Sequence, residues 1–182
     1  MDFEQRLVKR AKAGNVRARN QLLEMYRDAI LFLTFDLLGD YTKATGAAQK
    51  AFQGVFDRIN EFDDKESFSS CLYREAIKIC RTLEQNLSQT VNTLNETKSQ
   101  EQQLNEYNVV HIESNHKSEN KSRQAINRTL QMLSFDQRVV IILRYYHKKT
   151  ISCIARIMER NEDEVRTILY RAAESLKPVL NK

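Results

Sequence analysis

Glycine and proline are scarce in this chain, with four Gly and one Pro among 182 residues. So few breakers exclude a fold built from many tight turns. With abundant Leu, Ala, Gln, Glu, Lys and Arg, they predict an all-α protein. Cysteine is sparse too. Cys71, Cys80 and Cys153 are odd in number, far apart and without a Cys-x-x-Cys pair, so free buried thiols in a reducing cytoplasm are expected instead of a disulfide framework. Long apolar runs are missing. The longest, Ala29 to Phe35, contains Thr34 and lies between Asp28 and Asp36, far short of the roughly 20 residues that a membrane span requires. The opening MDFEQRLVKR mixes charges where an export signal needs an unbroken apolar stretch, so a soluble cytoplasmic protein without membrane insertion is expected.

Catalytic signatures are lacking as well. No glycine-rich phosphate loop, His-Glu-x-x-His or nucleophile elbow occurs. His111 and His116 lie in a polar stretch and His147 follows Tyr145 and Tyr146, all apart from the cysteines. That separation favours solvated or structural histidines over a metal site. The tyrosine pair offers stacking surfaces for bases, with one of the two expected in the core. No enzyme, cofactor or metal is expected.

What the chain does have is an adequate apolar fraction, 41%, and an uneven charge. Residues 1–83 hold 14 Lys/Arg against 12 Asp/Glu, residues 84–122 hold 3 against 6, and residues 123–182 hold 12 against 6. The basic excess therefore sits at the C-terminal end, where it attracts phosphate without specifying sequence.

That end also carries the most informative pattern. Ile151, Ile154, Ala155 and Met158 fall at i, i+3, i+4, i+7 and give one helix an apolar face. Glu159, Arg160 and Asn161 then interrupt it. Asn161 tolerates an unusual backbone angle and can cap the next helix. Val165, Leu169, Ala172 and Leu176 form the second stripe, leaving Arg166, Thr167, Tyr170 and Arg171 outward or flanking. Two helices with a short turn, the second bearing donors, is the arrangement that places a helix in a major groove. Any basic helical hairpin shares the spacing.

Two further helices precede this hairpin: one with Ala125, Ile126, Leu130 and Leu133, and one opened by a capping-box pair, Ser134 and Gln137, ahead of Val139 to Leu143. The first 83 residues read as a four-helix bundle. Phe3, Leu7 and Ala11 start it, and Gly14–Asn15 breaks the first helix. Leu22, Tyr26, Ala29 and Leu33 line the second, which ends near Gly39, and Asp40 or Thr42 caps the third. Ala44, Ala48, Ala51, Phe52, Val55, Phe56 and Ile59 give that third helix a wide apolar face, and a fourth starts near Ser69 after the turn from Asn60 to Ser67. Residues 84–122, rich in Gln, Asn, Ser, Thr and Glu, read as a flexible acidic linker, although Leu83, Leu87, Val91 and Leu94 carry helical spacing into it. The expected division is 1–83, 84–122 and 123–182.

Four stretches, in this order, resemble the bacterial RNA polymerase sigma factors of the extracytoplasmic-function (ECF) group. They are AKAGNVRARNQLLEMYRDAILFLTFDLLGD from Ala11, KATGAAQKAFQGVFDRINEF from Lys43, FSSCLYREA from Phe68, and INRTLQMLSFDQRVVIILRYYHKKTISCIARIMERNEDEVRTILYRAAESL from Ile126. The resemblance implies a region 2-like bundle and a region 4-like helix-turn-helix domain, joined by a segment that threads the polymerase cleft. It also implies a transcription-initiation subunit that binds core RNA polymerase at the β′ clamp and the β flap, engages promoter DNA and admits an anti-sigma factor as a further partner. On this reading Gln49, Phe52 and Phe56 serve polymerase binding, Phe68, Ser69, Tyr73, Arg74 and Lys78 the −10 element, and Arg160, Arg166, Thr167, Tyr170 and Arg171 the −35 element.

The chain also departs from the family pattern. Gly46 stands where the family carries Asp before the Gln of its core-binding helix, and Cys71 where it prefers Trp. Leu83, Glu84 and Gln85 replace basic residues after the fourth helix. In the recognition helix, Ile168 and Ala173 stand where the family commonly has Arg. Glu162, Asp163 and Glu164 crowd that helix's first turn, which suits its dipole but repels nearby phosphate. Two alternatives stay open: a helix-turn-helix DNA-binding regulator, or a protein-binding adaptor, each without promoter melting.

Overall fold

The computed structural model describes residues 3–62, 66–94 and 129–180. Among them are seven α-helices and no strand, as the composition predicts. Helices α1 (Phe3–Lys12), α2 (Val16–Leu38), α3 (Tyr41–Asp57) and α4 (Phe68–Leu94) form the N-terminal bundle, with a short 3-10 turn at Ile59–Glu61. Helices α5 (Phe135–Ile141), α6 (Ile151–Met158) and α7 (Glu162–Leu180) form the C-terminal module. The expected linker is helical as far as Leu94 because α4 runs into it. The rest of that stretch, with His111, His116, Ala125 and Ile126, lies outside the described residues.

Helix ends follow local chemistry. The Asn15 side chain accepts from the Ala18 amide, and Asp40 accepts from that of Lys43. Each such cap satisfies an orphan amide and contributes about 1 kcal/mol. Gly39 ends α2 at φ 68, a left-handed angle open to glycine at no steric cost. The capping box at Ser134 and Gln137 is complete. Beyond α5 the chain makes a π-helical turn over Ile142–Tyr146, closed by the His147 amide donating to the Ile142 carbonyl at 3.1 Å. Tyr145 and Tyr146 both end up exposed, so neither is the core residue expected of the pair.

Leu7, Leu22, Ile30, Leu33, Leu37, Val55 and Leu72 fill the bundle, while Val139, Ile142, Leu143, Ile154, Ile157 and Val165 fill the C-terminal module. Both sets belong to one continuous apolar cluster. The modules meet along two seams: α4 against α6, and α2 against α5 with the π-helical turn behind it. Arg138 fastens the second. Only 3% exposed, it donates to the Leu37 carbonyl at 2.7 Å and to the Gln131 amide oxygen at 2.8 Å, and it pairs with Glu84 at 2.8 Å. A guanidinium presents several donors in a fixed fork, so one side chain can hold a helix-end carbonyl, an amide and a carboxylate at once.

Candidate nucleic-acid interface

Helices α6 and α7 make the hairpin that the sequence predicts. Thr150 caps α6, its hydroxyl accepting from the Cys153 amide. The turn then takes a left-handed step at Glu159, φ 54, and not at Asn161 as expected. Asn161 has a different task. Its side chain accepts from the Glu164 amide at 2.8 Å while Glu164 accepts from the Asn161 amide at 3.0 Å, a reciprocal capping box that opens α7. Ile154, Ala155, Ile157, Val165 and Ala172 are buried between the helices and the rest of the module.

The outward face of α7 carries the expected DNA-reading residues. Tyr170 is 68% exposed, and Arg166, Thr167 and Arg171 are exposed beside it. Arg166 is held within its own helix by Glu162 at 3.1 Å and faces Asp163 at 4.0 Å. The Thr167 hydroxyl donates to the Asp163 carbonyl at 2.9 Å. Of the three first-turn carboxylates, then, Glu164 is occupied by capping and Glu162 by Arg166. Arg160, in the turn, is exposed and pairs with Asp136 at 2.7 Å.

The second set, on α4, lies differently. Phe68 is buried against Tyr26 and Phe56, with centroids 5.9 and 5.7 Å away. Ser69 is half-buried, its amide donating to Glu4 at 3.3 Å. Tyr73, 3% exposed, shares a hydrogen bond with Nδ1 of His147 at 3.0 Å, and the two rings meet edge-on. Lys149 places its ammonium 4.5 Å from the Tyr73 ring centroid. Arg74 pairs with Glu66, donates to the Arg156 carbonyl at 3.0 Å and sits 3.3 Å from a Glu159 oxygen. Lys78 is exposed. Phe68 and Tyr73 thus present almost no surface to a base in this packing, while Lys78 does.

The third set is on α3. Gln49 is exposed, whereas Phe52 is buried and stacks on half-buried Phe56 at 6.2 Å. Arg19 lies over the Phe56 ring at 5.2 Å. Both phenylalanines therefore act as bundle core, leaving Gln49 as the surface residue of the three. Gly46 is on the same helix, and a Cβ built there meets nothing within 4 Å. Space does not explain the absent carboxylate.

Titration fits a structural role for the buried groups. Burial pushes the Cys71 thiol up to about 12, helped by Glu66, and burial with Glu84 nearby does the same for Cys80. Both stay protonated and unreactive at neutral pH. The His147 ring is driven down to about 4, first by burial and then by Lys149. It is neutral at physiological pH, serving as a hydrogen-bond partner of Tyr73. No group of metal-ligating side chains occurs among the described residues, and none of their helices is long and apolar enough to cross a membrane.

Residues 123–176, which take in α5, α6 and most of α7, match the family described as Sigma-70, region 4. Nearly the whole chain is also similar to the RNA polymerase sigma-H factor of Pseudomonas aeruginosa, 26% identical over 180 residues that cover 97% of this chain and 93% of that protein. Residues 123–176 thus carry a sigma region 4-like domain, and the chain as a whole is similar to ECF sigma factors. A second relative, the ECF RNA polymerase sigma factor SigW of Bacillus subtilis, is 24% identical over 186 residues, covering 95% of this chain and 94% of its own. Among solved structures, CnrH in complex with the cytosolic domain of CnrY shares this chain's fold with a TM-score of 0.76 at 18% identity, over 99% of this chain and 98% of that one. The sigma factor RpoE of Bartonella quintana, in complex with the anti-sigma factor NepR, does so at 0.69 and 17%, over 91% and 98%.

Sequence reading missed Asp136, Arg138 and the Tyr73–His147 pair. Arg138 leaves a faint signal: it interrupts the apolar face of α5 immediately before Val139. A charge at a core position needs partners, which sequence alone does not locate.

Proposed function

We propose that this protein is a divergent ECF sigma factor that binds core RNA polymerase, at the β′ clamp and the β flap, and directs it to promoters in the cytoplasm, with catalysis left to the polymerase. The proposal divides the work among residues 1–83, a linker over 84–122, and residues 123–182. The observation that carries it is the exposed, basic outer face of α7 within a region 4-like hairpin, in a chain whose full-length relatives are named sigma factors. In a major groove, Arg166 and Arg171 can reach base edges or phosphates, Thr167 can bond either, and Tyr170 can lie against the sugar-phosphate wall. Arg160 approaches the backbone from the turn. Phosphate contacts fix the register of the helix and base contacts set its preference.

For the −10 element, Phe68, Ser69, Tyr73, Arg74 and Lys78 are assigned to α4, and Gln49, with Phe52 and Phe56 beneath it, to the polymerase surface. An anti-sigma partner is a further expectation, since both structural neighbours named above were solved with a second protein, CnrY in one and the anti-sigma factor NepR in the other. A second reading, a DNA-binding regulator that does not open strands, is favoured by Gly46 and by Leu83, Glu84 and Gln85 where cations are expected.

Transcription distinguishes the two. Purified protein mixed with core polymerase and supercoiled DNA should form a complex and yield promoter-specific transcripts. Duplex binding without polymerase association or transcripts would establish the regulator instead.

A further inference from the structure

The turn between α5 and α6 carries charge that the assignments above leave unused. No Asp or Glu occurs between Asp136 and Glu159, while Arg144, Lys148, Lys149 and Arg156 fall in that interval. Lys149 lies over the Tyr73 ring, but Arg144 and Lys148 are exposed, and Tyr145 beside them is 55% exposed. Arg160 and Arg166 are each paired with a carboxylate, whereas Lys148 has no ion-pair partner among the described residues. The backbone that carries it is pinned. The Lys149 amide donates to the Leu143 carbonyl at 2.9 Å, the Arg144 guanidinium donates to the Lys149 carbonyl at 3.0 Å, and the His147 amide closes the π-helical turn. At the tip Lys148 takes φ 54, a left-handed angle that a residue with a Cβ adopts at a cost. Glycine takes that angle without strain, so the lysine adds an ammonium to the tip and nothing to the turn itself.

We propose that this turn is a second duplex contact, in which Lys148 meets a phosphate beside the groove that α7 enters and Arg144 positions the turn that presents it. The inference rests on the DNA-binding role proposed above. In a helix-turn-helix the first helix crosses the sugar-phosphate backbone while the second reads the groove, so the residues that lead into α6 come to the backbone. Phosphate is what they suit. An unpaired ammonium on a flexible stem binds it as a point charge, and the exposed ring and hydroxyl of Tyr145 alongside match a sugar-phosphate wall better than an acidic peptide. The contact also answers the acidic start of α7. Glu162, Asp163 and Glu164 repel phosphate there, and a cation without a carboxylate neighbour offsets that repulsion from the other end of α6. Phosphate contacts fix register and strength without reading bases, so the turn is assigned to affinity and α7 to sequence preference.

The test uses the full chain and two variants that treat the backbone differently. Lys148→Gly relieves the left-handed strain and Lys148→Ala keeps it, yet both remove the ammonium. Binding to fluorescent duplexes of two unrelated sequences is followed by anisotropy from about 50 to 200 mM salt, beside thermal melts. Both variants should bind each duplex about 3- to 10-fold more weakly and lower the salt slope by about 1, while the Tm of Lys148→Gly stays at or above that of the parent. Lys148→Arg, which keeps the charge, should keep the affinity. If Lys148→Ala melts below the assay temperature, Lys148→Gly carries the test. Folded variants with the parent's affinity and salt slope overturn the inference, and if Arg166→Ala and Arg171→Ala still weaken binding, the turn alone is removed from the DNA. A loss confined to one of the two duplexes would make Lys148 a base reader and overturn the assignment as well. Should the parent bind neither duplex, the DNA-binding reading itself fails and the turn contact falls with it.

Discussion

Replacing Arg138 by Met tests what fastens the two modules. The substitution keeps an unbranched stem and removes three polar contacts: to the Leu37 carbonyl at 2.7 Å, to Gln131 at 2.8 Å and to Glu84 at 2.8 Å. Their consequences differ. The Leu37 carbonyl sits in a buried contact and would keep only the long bond from the Gln131 amide at 3.4 Å, so loss of the guanidinium there costs about 1–2 kcal/mol. Glu84 has 36% of its side chain exposed, so water replaces much of its partner and the ion pair is worth about 1 kcal/mol at most. Offsetting these, Nε of Arg138 is buried without a hydrogen-bond partner, and removing the guanidinium ends that penalty. The net loss should be about 2 kcal/mol. With a urea m-value of roughly 2 kcal/mol/M, the unfolding midpoint falls by about 1 M. Glu84→Gln retains an acceptor oxygen, so its midpoint should fall by only about 0.3 M, which is under 1 kcal/mol. An Arg138→Met midpoint equal to that of the parent, or higher, would refute the reasoning that this side chain joins α2, α4 and α5.

Other perturbations probe the remaining elements. Arg166→Ala and Arg171→Ala should each weaken duplex binding and lower the salt slope by about 1, measured by anisotropy across a salt series; unchanged affinity and slope in both would remove α7 from the DNA. Gly46→Ala, on an open helical position with nothing within 4 Å of the new Cβ, should stabilise by about 1 kcal/mol and raise Tm by about 2–4 °C; a lower Tm in a thermal melt would mean the position is not plain helix. His147 holds its proton less firmly when folded, about 4 against an ordinary 6.5, so the unfolded chain takes up the proton first as pH falls. Its stabilising contribution is whole above pH 6.5 and is lost progressively towards pH 4, and His147→Gln should flatten this part of a urea-midpoint profile. An identical profile in that variant would place the acid sensitivity elsewhere.

Much of the fold was legible because it is local. Asp40, Ser134 and Asn161 sit where a side-chain oxygen faces amides two or three residues on, so short spacing suffices to find each cap. The outward face of α7 was equally legible, since burial of Val165 and Ala172 fixes where Arg166, Tyr170 and Arg171 point. Long-range pairing was not. Tyr73 and His147 lie 74 residues apart, and Arg138 and Leu37 lie 101 apart; no periodicity encodes such partners. The left-handed turn residue was misplaced because Asn161 suits two roles. It serves as the cap, leaving Glu159 to take the positive φ. Phe52 and Phe68 illustrate the converse. Aromatic residues that align with a family's functional stretch can be doing the packing beneath it, as their burial here shows.

The central claim is that this protein acts as a sigma factor and selects promoters for core polymerase. Its most direct test is to sequence the 5′ ends of transcripts made by core polymerase on supercoiled DNA, with and without the protein. Discrete new start sites that depend on the protein and disappear together in the Arg166→Ala, Arg171→Ala double variant are the predicted result. A protein that associates with polymerase yet leaves the start-site pattern of core enzyme alone would contradict it.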